Sequence, residues 1–260
     1  METLIQMVVP SVVLPLLLSA LLWWFAHHNR TVLWSLPLIW LPSYLWLIGW
    51  PSLFPAEANQ WLWLLVVAAV LINLILKSHL VSIAVSQTVL LALVLVAVAW
   101  PVLQYQFGLK LIVELLVVIA IGLMTYTFAT KGEAKTPALS LAISSGGMGL
   151  VVALGGSLLI GQLAGALASV LVVFAGSELI RKLQPSMSIT TIVPVMQLYL
   201  VIVVIARIYA EIPLVPSVLL LIAPLVGLIP ARRYAFVFSA ASVMAALSWL
   251  LLTADSSAYY

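Results

Sequence analysis

The chain has 260 residues, of which 65% are hydrophobic and only 7% charged, with a net charge of +3. A soluble domain carries about 25% charged residues, so this balance excludes a soluble fold and makes lipid the solvent. Ten basic side chains are too few for a nucleic-acid surface, and the absence of cysteine removes disulfides, thiolate metal sites and a cysteine nucleophile.

At about 20 residues per crossing, ten apolar segments follow in chain order: 4–26, 33–50, 61–76, 80–103, 109–129, 137–156, 158–178, 189–209, 213–229 and 234–253. The first lacks a basic leader and is long enough to span, so it reads as a retained helix rather than a cleavable signal peptide. Pro10 and Pro15 interrupt it. The segments 33–50, 61–76 and 213–229 are short; re-entry or local thinning of the bilayer are the two ways to accommodate them. Every connection is brief. The expected fold is an all-α integral membrane protein, one polytopic domain over 1–260.

Placing the N-terminus outside puts Arg30, Lys77, Lys131, Lys135, Arg181, Lys182, Arg232 and Arg233 in cytoplasmic loops, leaving only Lys110 and Arg207 outside. Eight of ten basic residues then obey the positive-inside rule, with both termini outside. The tryptophans agree, because indole favours the headgroup level. Trp50, Trp61, Trp63, Trp100 and Trp249 fall at outer ends, and Trp23, Trp24 and Trp34 at inner ends; Trp40 and Trp46 lie within the second segment. Ten crossings divide into halves 1–130 and 131–260. Five crossings per half make the second enter from the opposite side, the geometry of inverted repeats, although the halves share no residue-level similarity.

The 42 residues from 137 to 178 amount to two crossings, with Gly155-Gly156-Ser157 as the turn between them. Ser145, Gly149 and Ala153 recur every four residues on the first, and Ser157, Gly161, Gly165 and Ser169 on the second. Residues four apart share a helix face. In lipid, helices associate where small side chains let backbones approach, so these two faces predict a tight antiparallel hairpin. A sharper expectation is that Ser144 to Gly149 unwinds and lines a solute site, as broken helices do in transporters. Pro10 and Pro15 in the first segment and this cluster in the sixth would then be corresponding interruptions.

Ionisable groups inside membranes mark function by default. Glu114 lies in the fifth segment, four residues after Lys110; Arg207 and Glu211 form a second four-residue pair at similar depth. The four could line a charged outer vestibule or anchor helices at the headgroups. Asn73, Gln87, Gln162 and Gln197 are the neutral polar residues inside spans, suited to bonding neighbouring helices. A solute site would draw on Glu114, Gln162, Gln197 and the backbone near Ser144, Gly146 and Gly147. His27, His28 and His79 lie at the cytoplasmic edge with no carboxylate beside them and read as interface residues. No metal set, cofactor motif, phosphate-binding loop or nucleophile elbow is present.

These features predict a small-solute permease of a bacterial inner membrane. The alternative is a non-catalytic membrane subunit, since a carrier usually holds more charge in mid-membrane. A membrane-embedded enzyme ranks last, for want of an acid–base or metal set. The expected partners are the lipid bilayer and either other membrane subunits or further copies of the chain.

Overall fold

The computed structural model describes residues 6–52, 55, 57–76, 80–105, 108–130, 136–180, 187, 189–228 and 235–257. Lys77, His79, Lys131, Lys135, Arg181, Lys182, Arg232 and Arg233 lie outside them. Among the described residues the chain is helical and contains no strand.

Ten helices are seen. They are α1 (Gln6–His28), α2 (Arg30–Ile48), α3 (Trp61–Ile75), α4 (Leu80–Tyr105), α5 (Leu109–Thr130), α6 (Pro137–Leu154), α7 (Leu158–Ile180), α8 (Ile189–Tyr209), α9 (Leu214–Leu228) and α10 (Ala235–Ser257). Among the described residues nine helical stretches are long and apolar enough to cross a membrane, α3 together with the 3₁₀ turn Ala58–Gln60 that leads into it; the tenth helix, α9, has 15 residues. This is the architecture of a multi-pass membrane protein. Apolar solvent forces it, because a helix satisfies its backbone within its own segment.

Helix α8 is the central column. Every residue from Thr191 to Ala206 is buried, and α2, α3, α4, α5, α6, α7 and α9 all pack against it. Helix α1 packs on α7, while α6 packs on α9 and α10.

The α6–α7 hairpin is built from its small residues. A Cβ on Gly149 would stand 3.0 Å from the Gly161 carbonyl oxygen, and one on Gly161 would stand 2.8 Å from the Gly149 carbonyl oxygen and 3.0 Å from the Ala153 Cβ. At the turn, Gly156 has φ 116, a conformation that a side chain would strain. The Ser157 N–H donates to the Val152 carbonyl at 3.1 Å, closing α6 with a Schellman-type bond. The Ser157 hydroxyl then accepts the Ile160 N–H at 3.5 Å and opens α7. One triplet ends one helix and starts the next.

The expected unwinding at Ser144–Gly149 does not occur: α6 is continuous from Pro137 to Leu154. The glycines serve close packing instead. Gly147 receives Val243 of α10, which would stand 2.1 Å from a Cβ there, and Gly146 faces Ala168 of α7. Ser144 and Ser145 are fully buried, and the Ser144 hydroxyl donates to the Ser140 carbonyl one turn back at 2.7 Å.

Interruption falls elsewhere. Val9–Val13 of α1, which contains Pro10, forms a π-turn, and Arg30–Trp40 of α2 is a 3₁₀ helix with Pro37 inside it. A proline withholds the N–H that would bond the carbonyl four residues back, and in lipid that carbonyl needs another donor. Neighbouring helices supply one repeatedly. Ser169 of α7 donates to Ser11 O at 3.1 Å, four before Pro15; Thr191 of α8 donates to Leu33 O at 3.1 Å, although in a 3₁₀ stretch the carbonyl that Pro37 leaves open is the one three residues back. Asn73 of α3 donates to Thr190 O at 2.7 Å, four before Pro194, and the Tyr199 hydroxyl donates to Leu220 O at 2.7 Å, four before Pro224. In α4 the register slips by one: Tyr209 donates to Val98 O at 2.8 Å, three before Pro101.

Candidate functional site

Three of the four charges expected on the outer side meet in one place. Glu114 and Lys110 come from the first turns of α5, and Arg207 from the last turn of α8, where the helix dipole favours a cation. Arg207 Nε lies 3.6 Å from Glu114 Oε2. That is an ion pair, beyond hydrogen-bond length. The side chains are 26% and 23% exposed. Arg207 Nη1 also donates to the Ile212 carbonyl at 2.8 Å, which fixes the guanidinium from the other side.

Glu211 does not join them. Helix α8 ends at Tyr209, so the four-residue spacing from Arg207 no longer sets a common face. Glu211 is exposed, with φ 53, an uncommon conformation for a residue with a side chain. That turn brings the Ile212 carbonyl back to Arg207, so Glu211 shapes the site through its backbone.

A cavity of about 520 Å³ lies between α5, α8 and α9. Its walls are apolar except for Ser217 and the charged residues Lys110, Glu114 and Arg207. A smaller cavity of about 270 Å³ adjoins it, reaching Val102 and Gly108, and shares the same three charged residues. The ion pair borders both spaces. Helix α5 belongs to residues 1–130, and α8 and α9 to residues 131–260, so Glu114 and Arg207 bridge the two halves of the chain.

The other expected site residues lie apart from this cavity. Gln197 Nε2 donates to the Gln87 carbonyl at 2.8 Å, and Gln87 Nε2 donates to Ala69 O at 2.8 Å and to Asn73 Oδ1 at 3.3 Å. These three residues tie α3, α4 and α8 together. Gln162 is half-buried on α7 and lines neither cavity. Ser144 and Gly147 are buried in the packing of α6, and Gly146 is half-buried against Ala168 of α7. Of the packing residues, Gly161 meets Gly149 and Ala153, and the Gly165 backbone also lies against Gly149, its N 3.3 Å from where a Cβ there would stand, although a Cβ on Gly165 itself would meet nothing within 4 Å; Ser169 turns to α1. Among the described residues no cluster of His, Asp and Glu suits a metal ion.

Two further side chains tie the helices together. Glu178 near the end of α7 accepts the Ala138 N–H at 3.0 Å and the Leu139 N–H at 2.9 Å, one on each carboxylate oxygen, and so caps α6 from another helix. The signal was present: Glu178 is the single acid of the 137–178 stretch, and Pro137 marks a helix start. Trp40, fully buried, donates from Nε1 to the Leu163 carbonyl at 3.0 Å, pinning α2 to α7. Trp46, by contrast, is 58% exposed. No protein-family model, curated protein or solved structure matches the chain.

Proposed function

We propose that the protein is a small carrier of a bacterial inner membrane, with the cavity between α5 and the α8–α9 pair as its solute site. One observation carries the reading: an ion pair joins the two halves of the chain across an apolar cavity of about 520 Å³, within the range of ligand sites. Such a pair can make or break as the halves move, which is the gating that alternating access needs. Lys110, Glu114 and Arg207 are the polar recognition groups. The topology proposed is ten crossings, α9 included, with both termini on the outer side and the basic loops in the cytoplasm.

The native chain contains no cysteine, so one introduced thiol reports without background. Ser217→Cys places it on the buried cavity wall, where Ser217 is 4% exposed. In membranes, a carrier predicts labelling by an impermeant maleimide, at a rate changed by Glu114→Gln. No labelling in either background would sink the reading.

A subunit of a larger complex is the second reading. It is favoured by Asn73, Gln87 and Gln197, whose amide donors are all directed to neighbouring helices, leaving mid-membrane polarity structural. Stoichiometric co-purification with other polypeptides in mild detergent would select it, and a lone chain or homodimer would reject it.

A further inference from the structure

The cavity is asymmetric in a way that names its cargo. Leu115, Val118, Val203 and Val204 form a buried inner wall, each at most 6% exposed. The opposite rim is Leu109, Val113 and Val117 of α5 with Leu214 and Val218 of α9, each between 40% and 77% exposed. The opening therefore faces sideways, between the exposed apolar faces of α5 and α9, the side on which acyl chains lie. From Leu109 to Val118 the slot runs about 13 Å at 1.5 Å per residue. Lys110 lies near one end of it and the Glu114–Arg207 pair further along, and together they leave one positive charge. Lys110 is exposed and has no ion-pair partner among the described residues.

Resting on the reading of this cavity as the binding site, we propose that it takes an anionic glycerophospholipid, entering laterally from the bilayer. One acyl chain fills the slot, and the headgroup phosphate sits against Lys110 and the Arg207 guanidinium. A water-soluble solute would find almost nothing polar along the slot, whereas an anionic amphiphile complements both its apolar walls and its net positive charge. A zwitterionic headgroup brings its own ammonium towards Lys110 and is disfavoured. Glu114 acts in the opposite sense to Lys110, since its negative charge opposes the phosphate while it steers Arg207.

The test uses the full chain in detergent with equimolar phosphatidylglycerol and phosphatidylcholine of matched chains, counting retained lipid by native mass spectrometry. One bound phosphatidylglycerol is expected, preferred about fivefold, the effect of about one basic residue near a lipid surface. Lys110→Gln abolishes the preference, Glu114→Gln raises it about fivefold further, and Val113→Trp fills the slot and loses both lipids. Equal retention by the unaltered chain, or Lys110→Gln and Glu114→Gln shifting the preference in the same direction, overturns the proposal. Retention is an equilibrium measurement, so it separates from transport. A phosphatidylglycerol preference without labelling of Ser217→Cys would keep the lipid site and remove the carrier. Labelling without the preference would do the reverse.

Discussion

Replacing Glu178 with glutamine tests whether the hairpin is held at its open end. Both carboxylate oxygens accept backbone N–H groups of the first turn of α6, at 3.0 and 2.9 Å, and Thr136 at the N-cap makes no side-chain cap bond. Those N–H groups are among the four that a helix start leaves unpaired. A hydrogen bond to a charged acceptor contributes about 1.5–3 kcal/mol, and a negative charge at a helix N-terminus adds about 0.3–1 kcal/mol. Glutamine keeps one acceptor oxygen and turns an NH₂ towards the second N–H. The loss is therefore one charged bond plus the dipole contribution, about 2–4 kcal/mol. Glu178→Ala removes both bonds and is expected to cost about 3 kcal/mol or more. The assay is reversible unfolding in mixed dodecyl sulfate and maltoside micelles, with exposed Glu57→Gln as the control, expected within about 0.5 kcal/mol of the unaltered chain. If Glu178→Gln unfolds with the Glu57→Gln control, the carboxylate does not hold the hairpin and the reasoning is wrong.

Two glycines of one motif should respond with opposite signs. Gly161→Ala drives a Cβ to 2.8 Å from a backbone oxygen and should cost about 1–3 kcal/mol, whereas Gly165→Ala meets nothing within 4 Å and should be neutral or stabilising by up to about 1 kcal/mol; the same micelle unfolding reads both. Tyr199→Phe strips the donor from Leu220 O beneath Pro224 and should destabilise by about 1–3 kcal/mol with little change in packing; an unaltered midpoint would show that the proline carbonyl needs no donor. Glu211→Gly relieves a left-handed residue and should raise thermal stability by about 1 kcal/mol, because the side chain contributes no ion pair among the described residues. A loss of stability there would mean that the carboxylate has a role of its own.

What the sequence determined by itself was everything set by composition and by spacing within a few residues. Apolar composition dictates lipid, and lipid dictates helices. The bounds of the helices, the Gly155-Gly156-Ser157 turn and the four-residue spacing of small residues on α6 and α7 were all legible, because each rests on local geometry. Which face of a helix meets which neighbour was not. In water an amphipathic stripe announces the buried face; here the bilayer side and the protein side are both apolar, so the stripe is lost. Nothing local told Gly161 from Gly165, or directed Arg207 to Glu114 rather than to Glu211. The bonds that decide the packing join residues far apart in the chain, as Ser169 to Ser11 and Asn73 to Thr190 do. Prolines mark carbonyls in need of a donor, yet only the tertiary structure brings Tyr199, Asn73 or Ser169 to them. The cavity beside Glu114 likewise exists because α5, α8 and α9 converge there, and a local pattern cannot encode a convergence of three helices.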